Sequence, residues 1–163
     1  MRVARVAIVG AVVLMMAGCT APSDTSQPAD SPKESQQKLL ALLDQTQELI
    51  GGDWENHDSP SPRDCELPGS GETGTTFTGA RSQKMPALDD ETVSQVLNLW
   101  EKEGFEAGES GAGALDSVLG VDPANKAYYV ELMIGEHATQ LNGQAACVPG
   151  DTLDELNRVK KGG

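Results

Sequence analysis

The chain has 163 residues, of which 25 are acidic and 12 are basic, and its formal net charge is −13 at pH 7. Such an acidic surface repels nucleic-acid phosphates and anionic lipid headgroups, so the composition argues against a nucleic-acid-binding protein. Three cysteines and two histidines are present, and they do not have the paired Cys/His spacing of a structural zinc site.

The first 18 residues have the pattern of a secretory signal peptide. Arg2 and Arg5 form a basic start, residues 6–16 are apolar apart from one glycine, and two small residues precede Cys19. The apolar run is shorter than the roughly 20 residues that a membrane-spanning helix needs. We therefore predict cleavage after residue 18. This would remove two of the 12 basic residues and none of the 25 acidic ones, and would change the net charge from −13 to −15.

The cleavage site, Met16-Ala17-Gly18-Cys19, resembles the lipobox of bacterial lipoproteins, with Met in place of the usual first Leu. The resemblance implies that the sulfur of Cys19 receives a diacylglycerol and that the peptidase cuts before this residue. Two or three acyl chains, such as palmitate, would then hold the chain stably on the extracytoplasmic face of the cell membrane. The alternative is an ordinary signal peptide that happens to be followed by a cysteine.

The segment after Cys19 is small and polar, and it contains no apolar side chain larger than Ala or Pro up to residue 30. It cannot bury enough surface to offset the entropy of ordering, so we predict a flexible tether. The predicted organisation is a signal peptide over 1–18, a lipidated tether over 19–31, a globular domain over 32–150, and a tail or short helix capped by Asp151 over 151–163.

Two helices are well indicated within the domain. Ser31, Pro32 and Glu34 form the capping box and the first-turn proline of a helix that ends at the glycine pair 51–52. Asp89 is the predicted N-cap of a second helix, which ends near Gly104. The two predicted apolar faces comprise Leu39, Leu42, Leu43, Leu49 and Ile50 in the first helix, and Val93, Val96, Leu97 and Trp100 in the second.

The rest of the domain favours strands. We predict a short strand around Cys65, one strand over 73–84, and another beginning at Phe105. Residues 115–121 are predicted to form a strand or a short helical turn. Two further strands are predicted over 127–134 and 138–148, with a β-bulge at Gly143. Separate antiparallel hairpins with helices on one side indicate an α+β fold. The prediction is an antiparallel sheet of about four to five strands, two main helices on one face, and one disulfide.

The disulfide prediction concerns the two cysteines that a lipid on Cys19 leaves available. Export would place Cys65 and Cys147 in an oxidising compartment, where disulfides form and persist. A reactive thiol is the alternative, and it requires a CxxC pair or adjacent basic residues. Asp64 and Glu66 flank Cys65 instead, so we predict a Cys65–Cys147 bond.

No catalytic motif is present, and the sequence predicts no catalytic residue, resident metal or cofactor. The densest group of possible metal ligands, at residues 53–58, is most simply a solvated acidic loop. Trp54 in this loop is either a ligand or partner contact, or a lid over a small core. We take Trp54, His57 and Asp58 as the candidate ligand contacts.

The overall plan resembles small actinobacterial lipoproteins of the mycobacterial LppA-type group. The likeness includes Trp-Glu-Lys-Glu-Gly-Phe at 100–105 and Ala-Cys-Val-Pro-Gly at 146–150. It implies a cell-envelope location and the Cys65–Cys147 bond, and it carries over no catalytic residue. We predict a membrane-anchored, non-enzymatic binding or accessory protein with an envelope protein partner. The alternatives are a small-ligand or metal-binding lipoprotein and, third, an envelope hydrolase.

Overall fold

The computed structural model describes residues 30–84, 87–110 and 116–162. The predicted signal peptide, Cys19 and the predicted tether as far as residue 29 lie outside these ranges. The described helices are α1 (Pro32–Ile50), α2 (Asp90–Lys102) and α3 (Thr152–Lys160). The described strands are β1 (Glu55–Asn56), β2 (Arg63–Glu66), β3 (Thr73–Thr76), β4 (Thr78–Gln83), β5 (Glu106–Ser110), β6 (Asp116–Val121), β7 (Tyr129–Ile134) and β8 (Thr139–Gln144).

The strands form two antiparallel sheets. The larger has six strands in the order β1-β4-β8-β7-β6-β5, and the smaller pairs β2 with β3. The α+β class is therefore confirmed, whereas the strand count exceeds the predicted four to five. Of the two alternatives given for the segment after Asp151, the structure has the short helix, and the Asp151 side chain accepts hydrogen bonds from the backbone N–H groups of Leu153 and Asp154 at 2.8 and 3.0 Å. Within the described ranges, none of the helices has the length and hydropathy of a membrane span.

The single strand predicted over 73–84 is wrong, because the segment divides at Phe77 into two strands that belong to different sheets. Before Phe77, β3 pairs with β2, and Thr75 also exchanges two backbone hydrogen bonds with Val148. After Phe77, β4 pairs with β8. The division is made by partners that are distant in sequence, so composition alone did not indicate it.

The β-bulge predicted at Gly143 is also wrong. The register of β8 is unbroken on both sides, with Gly143 opposite Gly79 of β4 and Val130 of β7. A Cβ at Gly143 would lie 2.6 Å from Cδ1 of Leu39. The glycine therefore permits α1 to approach the sheet closely, which is the other common reason for glycine inside a strand.

Helix α1 lies along the sheet and begins as predicted. The Ser31 hydroxyl accepts from the Glu34 N–H at 3.3 Å, and the Glu34 carboxylate accepts from the Ser31 N–H at 2.8 Å. Near its start, the Ser35 hydroxyl donates to the carbonyl of Ala146 at 2.8 Å. At its end, Gly51 has a φ of 74° and closes the last turn. The helix thus runs from the segment after β8 to the opposite end of the sheet.

Helix α2 packs on the same sheet face as α1. Asp89 caps it by accepting from the Thr92 N–H at 2.8 Å. Trp100 is fully buried, and its indole N–H donates to the Thr46 hydroxyl of α1 at 3.0 Å. A Cβ at Gly120 of β6 would lie 3.0 Å from the Trp100 ring. The predicted placement of two main helices on one face agrees with these contacts.

The Cys65–Cys147 disulfide is present, with an S–S distance of 2.01 Å and a Cα–Cα distance of 5.9 Å. It joins β2 of the small sheet to the segment that follows β8 of the large sheet. Next to it, Gly74 of β3 lies so close that a Cβ would be 3.0 Å from the Cys147 sulfur. The bond therefore fastens the two sheets together at one end of the molecule.

Candidate ligand cleft at the end of strands β4 and β8

Trp54 lies over the core, in the position of a lid. Its indole is half-buried, packs against the hydrophobic core, and donates through Nε1 to the carbonyl of Gly51 at 2.9 Å. The N–H group of the indole is thus already hydrogen-bonded within the chain. The contacts of Trp54 in the described residues are packing against the core and this one hydrogen bond.

His57 and Asp58 have different surroundings from Trp54. The His57 side chain is 59% exposed, and its Nε2 lies 3.8 Å from the Glu55 carboxylate. The Asp58 carboxylate accepts from Nε and Nη2 of Arg81 at 3.3 and 3.0 Å. Within the described ranges, no hydrogen bond or ion pair joins Trp54, His57 and Asp58 to one another. The same ranges contain no group of three or more His, Cys, Asp or Glu side chains arranged to hold a metal ion.

Arg81 is the buried charge that the sequence analysis missed. Its side chain is 2% exposed and lies on the helix-facing side of β4. Besides Asp58, it donates to the Asp44 carboxylate at 2.5 Å and to the side-chain carbonyl of Gln47. Two carboxylates and one amide oxygen therefore neutralise and solvate the guanidinium, as burial of a charge requires. The cluster fixes α1 and the 58–59 segment to β4.

Replacing Arg81 with methionine is expected to lower the free energy of unfolding by about 2 to 3 kcal/mol. Breaking a buried pair costs roughly 3 to 5 kcal/mol, and the partial exposure of both carboxylates reduces that figure. Urea denaturation measures the change. The matched control is Lys38→Met, because the exposed Lys38–Asp30 pair at 2.5 Å should contribute less than about 1 kcal/mol. Equal losses in the two variants would contradict a structural role for the Arg81 cluster.

A cleft, here called the Gln83 cleft, lies at the end of the sheet where β4 ends and β8 begins. Its volume is about 420 Å³, within the roughly 300 to 1,000 Å³ of small-molecule sites. Two carboxylates, one ammonium group and three uncharged polar side chains surround it. The lining residues are Asp53, Glu55, Ser82, Gln83, Lys84, Ala138 and Gln140.

The Gln83 side chain lies on the buried side of β4, whereas its neighbour Ser82 lies on the other side together with Glu55 and Gln140. Gln83 is 4% exposed, and its Nε2 is buried without a hydrogen-bond partner in the described part of the chain. Its cross-strand neighbour Thr139 is fully buried, and the Thr139 hydroxyl also lacks a partner there. Leaving such a group unsatisfied costs about 1 to 3 kcal/mol, so buried polar groups normally bond to protein, water or ligand.

Gly52 makes room for the Gln83 side chain. It follows the glycine that ends α1, and its φ of 89° is one that side chains rarely adopt. A Cβ at Gly52 would collide with Oε1 of Gln83. The glycine pair thus both ends the helix and lets the Gln83 carboxamide lie against the backbone of the next segment. The sequence analysis identified only the first role.

A second cavity lies at the opposite end, beside the disulfide. It has a volume of about 430 Å³, and its lining includes Asp30, Asn125 and Cys147. Asn125 donates to the carbonyl of Cys147 at 3.0 Å. Nearby, burial and then the negative charge of Asp122 and other carboxylates raise the pKa of Tyr128 to about 12. The Asn125 hydrogen bond links the 122–128 loop to the segment that contains Cys147.

The residues that line the Gln83 cleft do not include a nucleophile with an adjacent base. Ser82 supplies the hydroxyl of its lining, and neither a histidine nor a cysteine is among the lining residues. A nucleophilic serine needs an adjacent base within hydrogen-bond distance, and the lining does not pair Ser82 with a histidine.

Comparison with known proteins gives little further information. No protein-family model matches the chain, and no curated protein matches its sequence. Among solved structures, the chain is similar to a DUF4853 family protein from Actinomyces odontolyticus ATCC 17982, with 14% sequence identity and a TM-score of 0.44. The likeness covers 74% of this chain and 64% of the other. At this level of likeness, no function or site residue is carried over.

Proposed function

We propose that this chain is an exported lipoprotein, cleaved before Cys19 and held by lipid on the extracytoplasmic face of the cell membrane. There its disulfide-bonded domain serves as a non-enzymatic binding or accessory component of the cell envelope. The observation that carries the proposal is the Cys65–Cys147 bond. Disulfides form and persist in oxidising compartments and are rare in the cytosol of most organisms, so the bond supports export.

The sequence around Cys19 supports export and lipid attachment. A basic start, a short apolar run and a lipobox-like Met16-Ala17-Gly18-Cys19 precede the domain. The domain begins with the capped helix α1 at Pro32. A stretch of about 12 residues, fully extended, reaches roughly 40 Å. This length lets a domain clear the headgroup region while its lipid stays in the bilayer.

The binding or accessory role is supported by the side chains at the domain surface. The side chains that line the Gln83 cleft carry charges of both signs. The lining hydroxyl is that of Ser82, and no histidine is among the lining residues. The acidic composition of the chain disfavours direct adsorption to anionic lipid. Attachment through acyl chains rather than through the protein surface is consistent with that charge.

The Cys19→Ala variant is expected to lose both lipid labelling and membrane retention. The full chain is expressed in a bacterium fed an alkyne-bearing fatty acid, and labelled protein is followed by gel fluorescence and membrane fractionation. The parent chain should be labelled and sediment with membranes, because two or three acyl chains anchor stably. Ser23→Ala is the matched control and should behave like the parent.

Two results would contradict this proposal. One is a parent chain whose intact mass shows an uncleaved N-terminus and no lipid. The other is a Cys19→Ala chain that keeps its label. The remaining two thiols supply an internal check, since they should resist alkylation without prior reduction in the exported protein.

A further inference from the structure

Strand β5 is an edge of the six-stranded sheet that lacks the usual protection against pairing. The sheet ends in β1 on one side and in β5 on the other. Strand β1 is short, with two residues, which limits pairing at that edge. Strand β5 has five residues, pairs one to one with β6 without a bulge, and contains neither proline nor lysine. In the described part of the chain β6 alone pairs with β5, so the outer row of backbone N–H and C=O groups on β5 has no strand partner there.

A groove of about 360 Å³, here called the β5 groove, lies along this edge. The register of β5 with β6 puts its floor on the side of the sheet away from α2. Gly108 lies opposite Leu119, whereas the next residue of β6, Gly120, faces the Trp100 ring on the helix-covered side. The half-buried side chains of Leu119 and Val121 give the groove an apolar floor beside Gly108. The edge thus combines backbone groups without a strand partner and an apolar depression.

Gly108 is unlike the other glycines inside strands. At Gly74, Gly79, Gly120 and Gly143, a Cβ would lie 3.0 Å or less from another part of the chain. Each of those glycines permits a close approach within the protein itself. At Gly108 a Cβ would have no neighbour within 4 Å among the described residues, and its φ is not positive. Neither crowding nor backbone conformation accounts for this glycine, whereas a close approach by a second molecule does.

The charges on β5 indicate the kind of molecule that fits. The strand has two exposed carboxylates, Glu106 and Glu109, and no basic residue. Glu106 lies on the groove side of the strand with Gly108, and Glu109 lies on the other side. A second copy adding its own β5 would bring two more carboxylates and a further net charge of −13, so self-pairing is disfavoured. A basic strand would instead place its cations beside these carboxylates.

We propose that β5 binds an extended, basic polypeptide segment, which adds to the sheet as a seventh strand. Main-chain hydrogen bonds to β5 provide affinity, and an apolar side chain fills the space over Gly108. In antiparallel register, the residue before that apolar one is basic and lies beside Glu109, and the second residue after it is basic and lies beside Glu106. The proposal rests on the binding role proposed above and names its partner class, and it holds whether or not Cys19 is lipidated.

Binding is tested with the purified full chain in detergent and the peptide acetyl-Thr-Lys-Leu-Thr-Lys-Thr amide, which has this pattern. Calorimetry should show saturable binding with a dissociation constant of about 1 mM or below, and the NMR amide signals of β5 and β6 should shift. The same peptide with both lysines replaced by glutamate should bind at least about tenfold more weakly, because two attractive pairs become repulsive.

Backbone pairing is tested with two N-methylated forms of the peptide, one for each set of alternate amides. Only one set of amides faces the neighbouring strand in an antiparallel pair. Methylation of that set should weaken binding at least about tenfold, since its donors are lost, and methylation of the other set should weaken it less.

The decisive variant is Gly108→Val, which fills the β5 groove. Binding should weaken at least about tenfold, whereas the melting temperature without peptide should stay equal or rise, because the position has room for a side chain and valine favours strands. Gly108→Ala is the smaller replacement should valine lower the stability. Glu106→Lys with Glu109→Lys should also weaken binding at least about tenfold. The matched control is Glu136→Lys with Asp154→Lys, which makes the same change in net charge at exposed positions outside the strands and should leave binding unchanged.

Four results would overturn the proposal. The first is the absence of saturable binding of the lysine peptide. The second is equal binding of the lysine and glutamate peptides, or an equal effect of the two N-methylated sets. The third is unchanged binding in folded Gly108→Val and Gly108→Ala. The fourth is a dimer of the parent chain in sedimentation that Gly108→Val dissociates, which would assign the edge to a second copy. None of these results depends on where the chain is anchored, so they are separate from the lipid-labelling experiment.

Discussion

Replacing both Cys65 and Cys147 with alanine is expected to lower the free energy of unfolding by about 4 to 5 kcal/mol. The bond spans a sequence separation of 82 residues. In the chain-entropy model, opening a loop of this length returns about that much free energy to the unfolded chain. Urea denaturation of the oxidised parent and the double variant measures the difference. For a domain of this size, a loss this large is a substantial share of the total stability.

The loss should be accompanied by a local change at the small sheet. Besides the disulfide, Thr75 and Val148 exchange backbone hydrogen bonds at 2.9 and 3.1 Å between β3 and the segment after β8. Amide exchange in β2 and β3 should therefore accelerate more than exchange in β7 and β8. The parent treated with reductant is the control and should match the double variant. A loss below about 1 kcal/mol in both would contradict the entropic account.

The Trp100→Ala variant is expected to lose about 3 to 5 kcal/mol. Trp100 is fully buried where α2 meets α1 and β6, and large-to-small changes at such sites remove transfer free energy and leave a cavity. The Thr46 hydroxyl would lose its indole donor, but it would keep its own hydrogen bond to the Leu42 carbonyl at 2.8 Å. The loss therefore comes mainly from packing. Thermal and urea unfolding should both report it.

Trp54→Ala is the matched control for Trp100, because it removes the same side chain from a half-buried lid. We expect a loss of about 1 to 2 kcal/mol, in proportion to the smaller apolar area that Trp54 buries. Similar losses in the two variants would contradict the assignment of Trp100 to the centre of the core. They would also show that Trp54, which covers the segment that ends α1, contributes as much to the free energy of unfolding as Trp100 does.

The sequence predicted those parts of the fold whose signals are local. The capping box of Ser31 and Glu34, the Asp89 cap and the glycines after α1 all lie within a few residues of the helix ends that they determine. The division at Phe77 and the close approach at Gly143 depend on α1, β2 and β8 instead. A composition rich in Thr and Gly is compatible with one strand or two, so it did not decide between them.

The candidate cleft was only partly predictable for the same reason. Asp53 and Glu55 belong to the acidic loop that the sequence analysis identified as a possible site. Gln83, Lys84 and Gln140 join them only because β4 pairs with β8 and β1 pairs with β4. The burial of Arg81 could have been suspected, since it alternates with Gly79 and Gln83 on one side of its strand. Its partners on α1 could not.

The direction of α1 gives the domain two poles. Its first turn lies beside Gly150, and the segment after its last turn lies against Gln83, so its 19 residues separate these points by about 28 Å. The N-terminus therefore enters the domain at the pole opposite the Gln83 cleft, and an attachment made through residues before α1 would leave the cleft unobstructed.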